Sequence, residues 1–151
     1  MNGPATSKRD ILVSVRPPFA EAIVAGLKTV ELRRKFTEEA QPGSVLLIYS
    51  SSPTQAIVAS AVIAGVRRLR LATLWRRFGE AACVEREFFY AYFDGLADGY
   101  AILLENVRPF QRRVKVSELE RRFGFVPPQS FMYLRQEHYP LLKHEHPQAS
   151  D

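Results

Sequence analysis

From Val45 to Val66 the chain runs VLLIYSSSPTQAIVASAVIAGV, two apolar stretches joined by one short polar turn. The first is apolar at nearly every position, so it reads as a strand covered on both faces, with the second, β-branched at its start, as its partner. A chain that must bury such a pair needs layers on both sides of the sheet. The flanking segments supply candidates. ILVSVRP, from Ile11, alternates as a strand, with Ile11, Val13 and Val15 on one side and Leu12, Ser14 and Arg16 on the other. PPFAEAIVAG follows as a helix of about two turns, opened by proline and closed by Gly26. TVELRRKF is a second alternating strand that divides Val30 and Leu32 from Thr29, Glu31 and Arg33.

Beyond the central pair, Thr73 is placed to cap a short helix LWRRFG. CVEREFFYAYFDG makes a firmer helix, with Val84, Phe88 and Tyr92 at spacings of four and its aromatics assigned to the core. GYAILLENVRPF returns to strand. In SELERRFG, Ser117 and Glu120 stand in capping-box register, and VPPQSFMYL leads through a proline-rich loop into a last strand. Five or six strands with two to four short helices, lacking regular βα alternation, predict an α+β fold built on a small mixed barrel rather than a doubly wound sheet.

The 151 residues are 46% hydrophobic and 25% charged, enough apolar surface for one domain, assigned to residues 11–142 between flexible ends at 1–10 and 143–151. Lys and Arg number 21 against 16 Asp and Glu, and the net charge of +5 favours a polyanionic partner. Cys83 is the one cysteine, which excludes an intramolecular disulfide and a multi-cysteine zinc site. No signal-like or membrane-spanning apolar run occurs, so a cytoplasmic setting and no membrane partner are expected.

GLKTVELRR, from Gly26, crowds charge where a helix gives way to a strand. Lys28, just past the helix-ending glycine, offers a point charge to a phosphate or carbonyl, and Arg33 offers two parallel hydrogen bonds to a phosphate or a guanine edge. The same residues also suit a structural ion pair of Glu31 with Lys28 or Arg33. A nearby carboxylate would raise the lysine pKa unless burial overrides it, and a fully charged lysine is a poor base.

Gly26, Lys28, Glu31 and Arg33 spell G-x-K-x-x-E-x-R, which resembles the signature of the ASCH domain, a relative of the PUA domains of RNA-modifying proteins. SVRPPFAEAIVAG, YSSSP, the YFDG and GYAILLENV block and PPQSFMYL also resemble ASCH segments in order, over roughly residues 11 to 135. The resemblance implies a PUA-like mixed β-barrel with short flanking helices and an RNA or nucleotide site in a cleft beside Lys28, Glu31 and Arg33. It also implies an enzymatic alternative, because some ASCH proteins are amidohydrolases acting on 4-acetylcytidine, with a catalytic lysine, a threonine three residues later and a distant glutamate. Here Glu31 holds the threonine's position. That favours recognition over this hydrolysis, and leaves Glu31 as a base with Lys28 stabilising an oxyanion, or ribonuclease activity, as the catalytic readings. Glu85 and Glu87 are candidates for the distant acid, set against an ordinary solvated helix face. A regulatory protein-interaction module is the third class.

VRRLRLATLWRRFG places Arg67, Arg68, Arg70, Arg76 and Arg77 around Trp75, a mixture suited to gripping a nucleic-acid backbone and stacking a base. Arg108, Arg112, Arg113 and Lys115 form a second basic cluster. Arg16, Tyr49 and Ser51 are expected to support the cleft, and Gln129 and Tyr133 to close it. His138, His144 and His146 lack the spacing of a helical metal pair, so no metal or other cofactor is expected. Cys83 reads as a small buried hydrophobe on the aromatic helix.

Overall fold

The computed structural model describes residues 9–144. Of the expected tails at 1–10 and 143–151, residues 1–8 and 145–151, with His146, lie outside the described residues. The strands are β1 (Ile11–Val15), β2 (Val30–Arg33), β3 (Val45–Ser50), β4 (Ala56–Arg70), β5 (Asp98–Lys115) and β6 (Phe131–Tyr133). The helices are α1 (Pro17–Val24), α2 (Leu71–Phe78), α3 (Arg86–Tyr92), α4 (Val116–Phe123) and α5 (Pro140–His144). A 3-10 turn spans Gln136–His138.

The strands form one mixed sheet in the order β2-β5-β4-β3-β1-β6. The β1–β3 pair is parallel and the other pairs are antiparallel. This sheet is the expected small mixed barrel, left open as a half-barrel. Its curvature comes from β4 and β5, whose register shifts between Ile57 and Ala59, Ser60 and Val62, and Ile63 and Gly65. Each irregularity bends and twists the ladder, so two long strands wrap instead of lying flat.

Three apolar clusters follow. Ile11, Val13, Val15, Ile48, Ala59, Ile63 and Ile102 fill the inside of the half-barrel, with Ala20 and Ile23 of α1 packed on them. Leu12, Leu47, Tyr49, Ile57 and Val114 meet Leu119 of α4 and Leu141 of α5. Val30, Leu32 and Ala101 meet Leu74 of α2 and Phe89 of α3, with Phe93 beside them. The first two clusters account for the apolar run of β3 and for Leu12 on the second face of β1, since alternate residues enter different clusters.

Several local expectations are corrected. α2 starts at Leu71 with an extended Arg70 before it, so Thr73 lies inside the first turn rather than at the cap. α4 starts at Val116 after an extended Lys115 and has no side-chain cap, so Ser117 makes no capping box. Both helices leave the ends of the long strands directly, and the strand geometry sets their start. Cys83 is exposed, at φ +58° in the turn before α3, and its thiol donates to Leu27 O at 3.2 Å. His138 is buried rather than in a loose tail, packed on Phe125 and accepting the Arg135 N–H at its Nδ1.

Arg112 and Arg113 of the second basic cluster are paired with carboxylates. Arg113 makes two hydrogen bonds to Glu21, tying β5 to α1, and Arg112 makes two to Glu118. Arg122 also reaches Glu118. These two arginines cement elements together rather than presenting a bare basic face.

Candidate functional site: a charged cleft walled by aromatics

Gly26 sets the site's geometry. At φ +80° it reverses the chain after α1, a backbone that a residue with a Cβ adopts only under strain. The Leu27 and Lys28 N–H groups both return to Ala22 O, which directs Lys28 inward. β2 then begins against β5, pairing Glu31 with Ile102 and Arg33 with Tyr100. Alternation sends Val30 and Leu32 to the α2–α3 cluster and turns Glu31 and Arg33 to the other side, as the sequence pattern required.

Lys28 and Glu31 are buried, and Arg33 is half-buried. The Lys28 ammonium donates to Ala82 O at 2.6 Å, lies 3.7 Å from Glu31 Oε1 and sits 4.8 Å from the centre of the Phe19 ring. Arg33 Nη1 donates to Glu31 Oε2 at 3.2 Å and to Ser14 O at 3.0 Å. One carboxylate therefore serves two cations, and the triad carries one net positive charge when all three groups are ionised.

The Lys28 pKa is lowered. Burial penalises its charged form, and this outweighs the raising effects of Glu31 and Cys83. Of the two outcomes the sequence left open, a lysine pKa raised by Glu31 or one lowered by burial, the structure has the second: the carboxylate is present, but desolvation dominates.

Above the triad lies a cleft of about 240 Å³. Phe19 of α1 and Phe88 and Tyr92 of α3 wall it, and Arg16 and Gln129 lie at its edge. Phe88 stacks on Tyr92 at 6.1 Å with an interplanar angle of 8°, and Phe19 meets Phe88 edge-on at 5.4 Å. The Tyr92 hydroxyl donates to Leu32 O at 3.3 Å, and burial raises its pKa. The α3 aromatics were expected in the core; Phe89 and Phe93 are there, whereas Phe88 and Tyr92 line the cleft. Spacing of four identifies a helix face but not what that face meets, so this half of the site had no separate signal in the sequence.

The cleft thus gathers Arg16, Lys28, Glu31, Arg33 and Gln129. Tyr49 is buried in the cluster under α4, and Ser51 lies beyond the end of β3, its N–H donating to Val15 O. Tyr133 donates to Thr37 Oγ1 at 2.5 Å and carries Arg9 over its ring at 4.0 Å. Trp75 packs against Phe89 with ring centres 5.4 Å apart. Arg67 and Arg68 line a separate groove with Glu38 and Tyr100. Glu85 and Glu87 are exposed, away from the cleft lining. Among the described residues, no group of three or more His, Cys, Asp or Glu side chains is arranged to hold a metal.

This geometry can do three things: seat a planar ring against an aromatic wall, accept N–H groups at Glu31, and attract an anion to Arg16 and Arg33. Comparison with known proteins places it. A chain from Zymomonas mobilis described as an ASCH domain-containing ribonuclease is 34% identical over 131 residues, covering 86% of this chain and 87% of that one. The crystal structure of ASCH from Zymomonas mobilis superposes with a TM-score of 0.83 at 32% identity, covering 90% of this chain and 95% of that one. Human THYN1, solved in complex with DNA containing 5-methylcytosine, shares the fold at a TM-score of 0.54 and 13% identity, with 89% and 95% covered. The ASCH domain model itself matches residues 13–123, from the middle of β1 to the end of α4 and across the whole cleft-forming segment of α1 and β2, and the chain belongs to the ASCH domain family, on a PUA-like half-barrel.

Proposed function

We propose that this ASCH domain binds single-stranded RNA, seating one unpaired base in the cleft above Lys28, Glu31 and Arg33. The observation that carries the reading is a buried carboxylate held between two cations at the floor of an aromatic-walled, net positive cleft. A floor built only for stability would be covered by packing; this one opens to Phe19, Phe88 and Tyr92. The volume falls below the roughly 300–1,000 Å³ of drug-sized pockets, which suits one ring system with the sugar and phosphate left outside near Arg16. Glu31 accepts from an exocyclic amino group, as carboxylates do from cytosine, and Arg33 supplies donors. A cytoplasmic setting suits such a partner.

Fluorescence anisotropy with a short single-stranded RNA tests it. Binding should weaken steeply with salt, and Arg16→Ala should lower the slope of log affinity against log salt by about one. Absence of salt-sensitive binding, or an Arg16→Ala, Arg33→Ala double variant that binds like the wild type, overturns it.

The similarity to the Zymomonas mobilis ASCH domain-containing ribonuclease favours RNA cleavage as a second reading. In such a reaction the ribose 2′-oxygen attacks the adjacent phosphorus and gives its proton to a base. The 5′-oxygen leaves with a proton from an acid, producing a cyclic phosphate and a free 5′-hydroxyl. Lys28, whose burial eases loss of its proton, and Glu31 are the candidate proton-transfer pair. Lys28→Met should then keep RNA binding and lose cleavage; equal cleavage by wild type and variant rules this reading out. Hydrolysis of 4-acetylcytidine has less support, since Thr29 is exposed and the Ser14 hydroxyl already donates to Pro128 O at 2.5 Å.

A further inference from the structure

We propose that the groove lined by Glu38, Arg68 and Tyr100 is a second nucleotide subsite, receiving the next bases of the RNA strand whose first base occupies the Lys28 cleft. The proposal rests on the RNA reading above. Its basis is register. Arg33 of β2 pairs with Tyr100 of β5, and Tyr100 pairs with Arg68 of β4. Directly paired residues of antiparallel neighbours project to the same face, with Cβ atoms about 5 Å apart. Arg33, Tyr100 and Arg68 therefore form one row across three strands, running from the cleft edge into the groove.

The row spans two strand spacings, roughly 10 Å, or about three base steps at the ~3.4 Å rise of a stacked strand. Arg68 lies 5.6 Å over the Tyr100 ring, and its Nε is 3.6 Å from Asp98 Oδ2. A guanidinium plane held over an aromatic ring is a platform on which a base stacks. Glu38, Ala40, Gln41 and Pro42 of one loop also line the groove, and Glu38 and Gln41 bring side chains able to hydrogen-bond a base edge. This loop is pinned by Arg9 to Glu39 at 3.2 Å and by Tyr133 to Thr37.

Charge also distinguishes the subsite from a phosphate well. Arg67 and Arg68 are matched there by Glu38 and Asp98, so stacking and edge contacts, rather than net attraction, supply the binding. Arg67 Nη1 donates to Val66 O at 3.3 Å and lies over Gly65, where a Cβ would come within 2.6 Å of it.

The test uses the full chain with a dinucleotide and a hexanucleotide of single-stranded RNA. The wild type should bind the hexamer more tightly. Tyr100→Leu, which keeps apolar packing on the half-barrel interior but removes the ring, should weaken the hexamer about tenfold and leave the dinucleotide unchanged. Tyr100→Phe should bind both like the wild type, separating stacking from loss of fold. A Tyr100→Leu variant that keeps the full length dependence overturns the subsite alone. Failure of the wild type to bind either RNA overturns the RNA reading and the subsite together.

Discussion

Glu31 holds two cations that its neighbours have drawn out of water, and most testable consequences at the residue scale follow from that. Glu31→Gln leaves Lys28 and Arg33 without their shared countercharge and should cost about 3 kcal/mol in chemical denaturation. Lys28→Met should cost less, because Arg33 still answers Glu31 and only Ala82 O loses its donor. Equal losses would contradict this ordering. The lowered Lys28 pKa also fixes a sign. Between its folded value and the ordinary 10.5, the unfolded chain binds the extra proton, so stability rises with pH across that window. Wild type should therefore gain on Lys28→Met as pH climbs towards 10.5, read as the difference between their melting temperatures. The sequence made the division of Val30 and Leu32 from Glu31 and Arg33 legible, since alternation is local. It could not show that Lys28 is driven down by burial, because Phe19 and Ala82 reach it only through the tertiary fold.

At the scale of elements, α1, β2 and α3 make the site, and their ends set its shape. Gly26 exposes the α1 end to a simple substitution: a Cβ there meets nothing within 4 Å, so Gly26→Ala costs only the φ of +80°, about 1 kcal/mol. A much larger loss would mean that the turn does more than aim Lys28. α4 is anchored by Glu118, whose hydrogen bonds from Arg112 and Arg122 pull its pKa down from 4.5 to about 2. Its folded pKa is depressed, so its contribution is complete above 4.5 and disappears as pH falls towards 2. Because Arg112 is well exposed, that contribution should be about 1 kcal/mol. The gap in melting temperature between wild type and Glu118→Gln should be present at neutral pH and close in acid; a gap that persists in acid contradicts the ion-pair account. Helix periodicity was readable in the sequence, but the helix starts were not. α2 and α4 follow straight from long strands through extended arginine and lysine residues, so Thr73 and Ser117 had no capping role to fill.

At the scale of the whole molecule, an irregular half-barrel carries two recesses joined by one row of side chains. The mixed sheet was legible because the β3 and β4 runs admit no other covered arrangement, and the absence of βα alternation excluded a doubly wound sheet. The cleft beside Lys28 was implied by the family resemblance, but its aromatic wall comes from an α3 face that periodicity assigned to the core. Of the two basic clusters, the one around Arg112 and Arg113 holds helices in place, and the Arg33–Tyr100–Arg68 row is the route proposed for a nucleic-acid strand. The most direct measurement of the central claim is a crystal structure of the protein soaked with cytidine monophosphate. The account predicts a base in the cleft against the Phe19, Phe88 and Tyr92 wall, with its amino group on Glu31 and its phosphate towards Arg16. A nucleotide bound elsewhere, with the Lys28 cleft left to solvent, would contradict it.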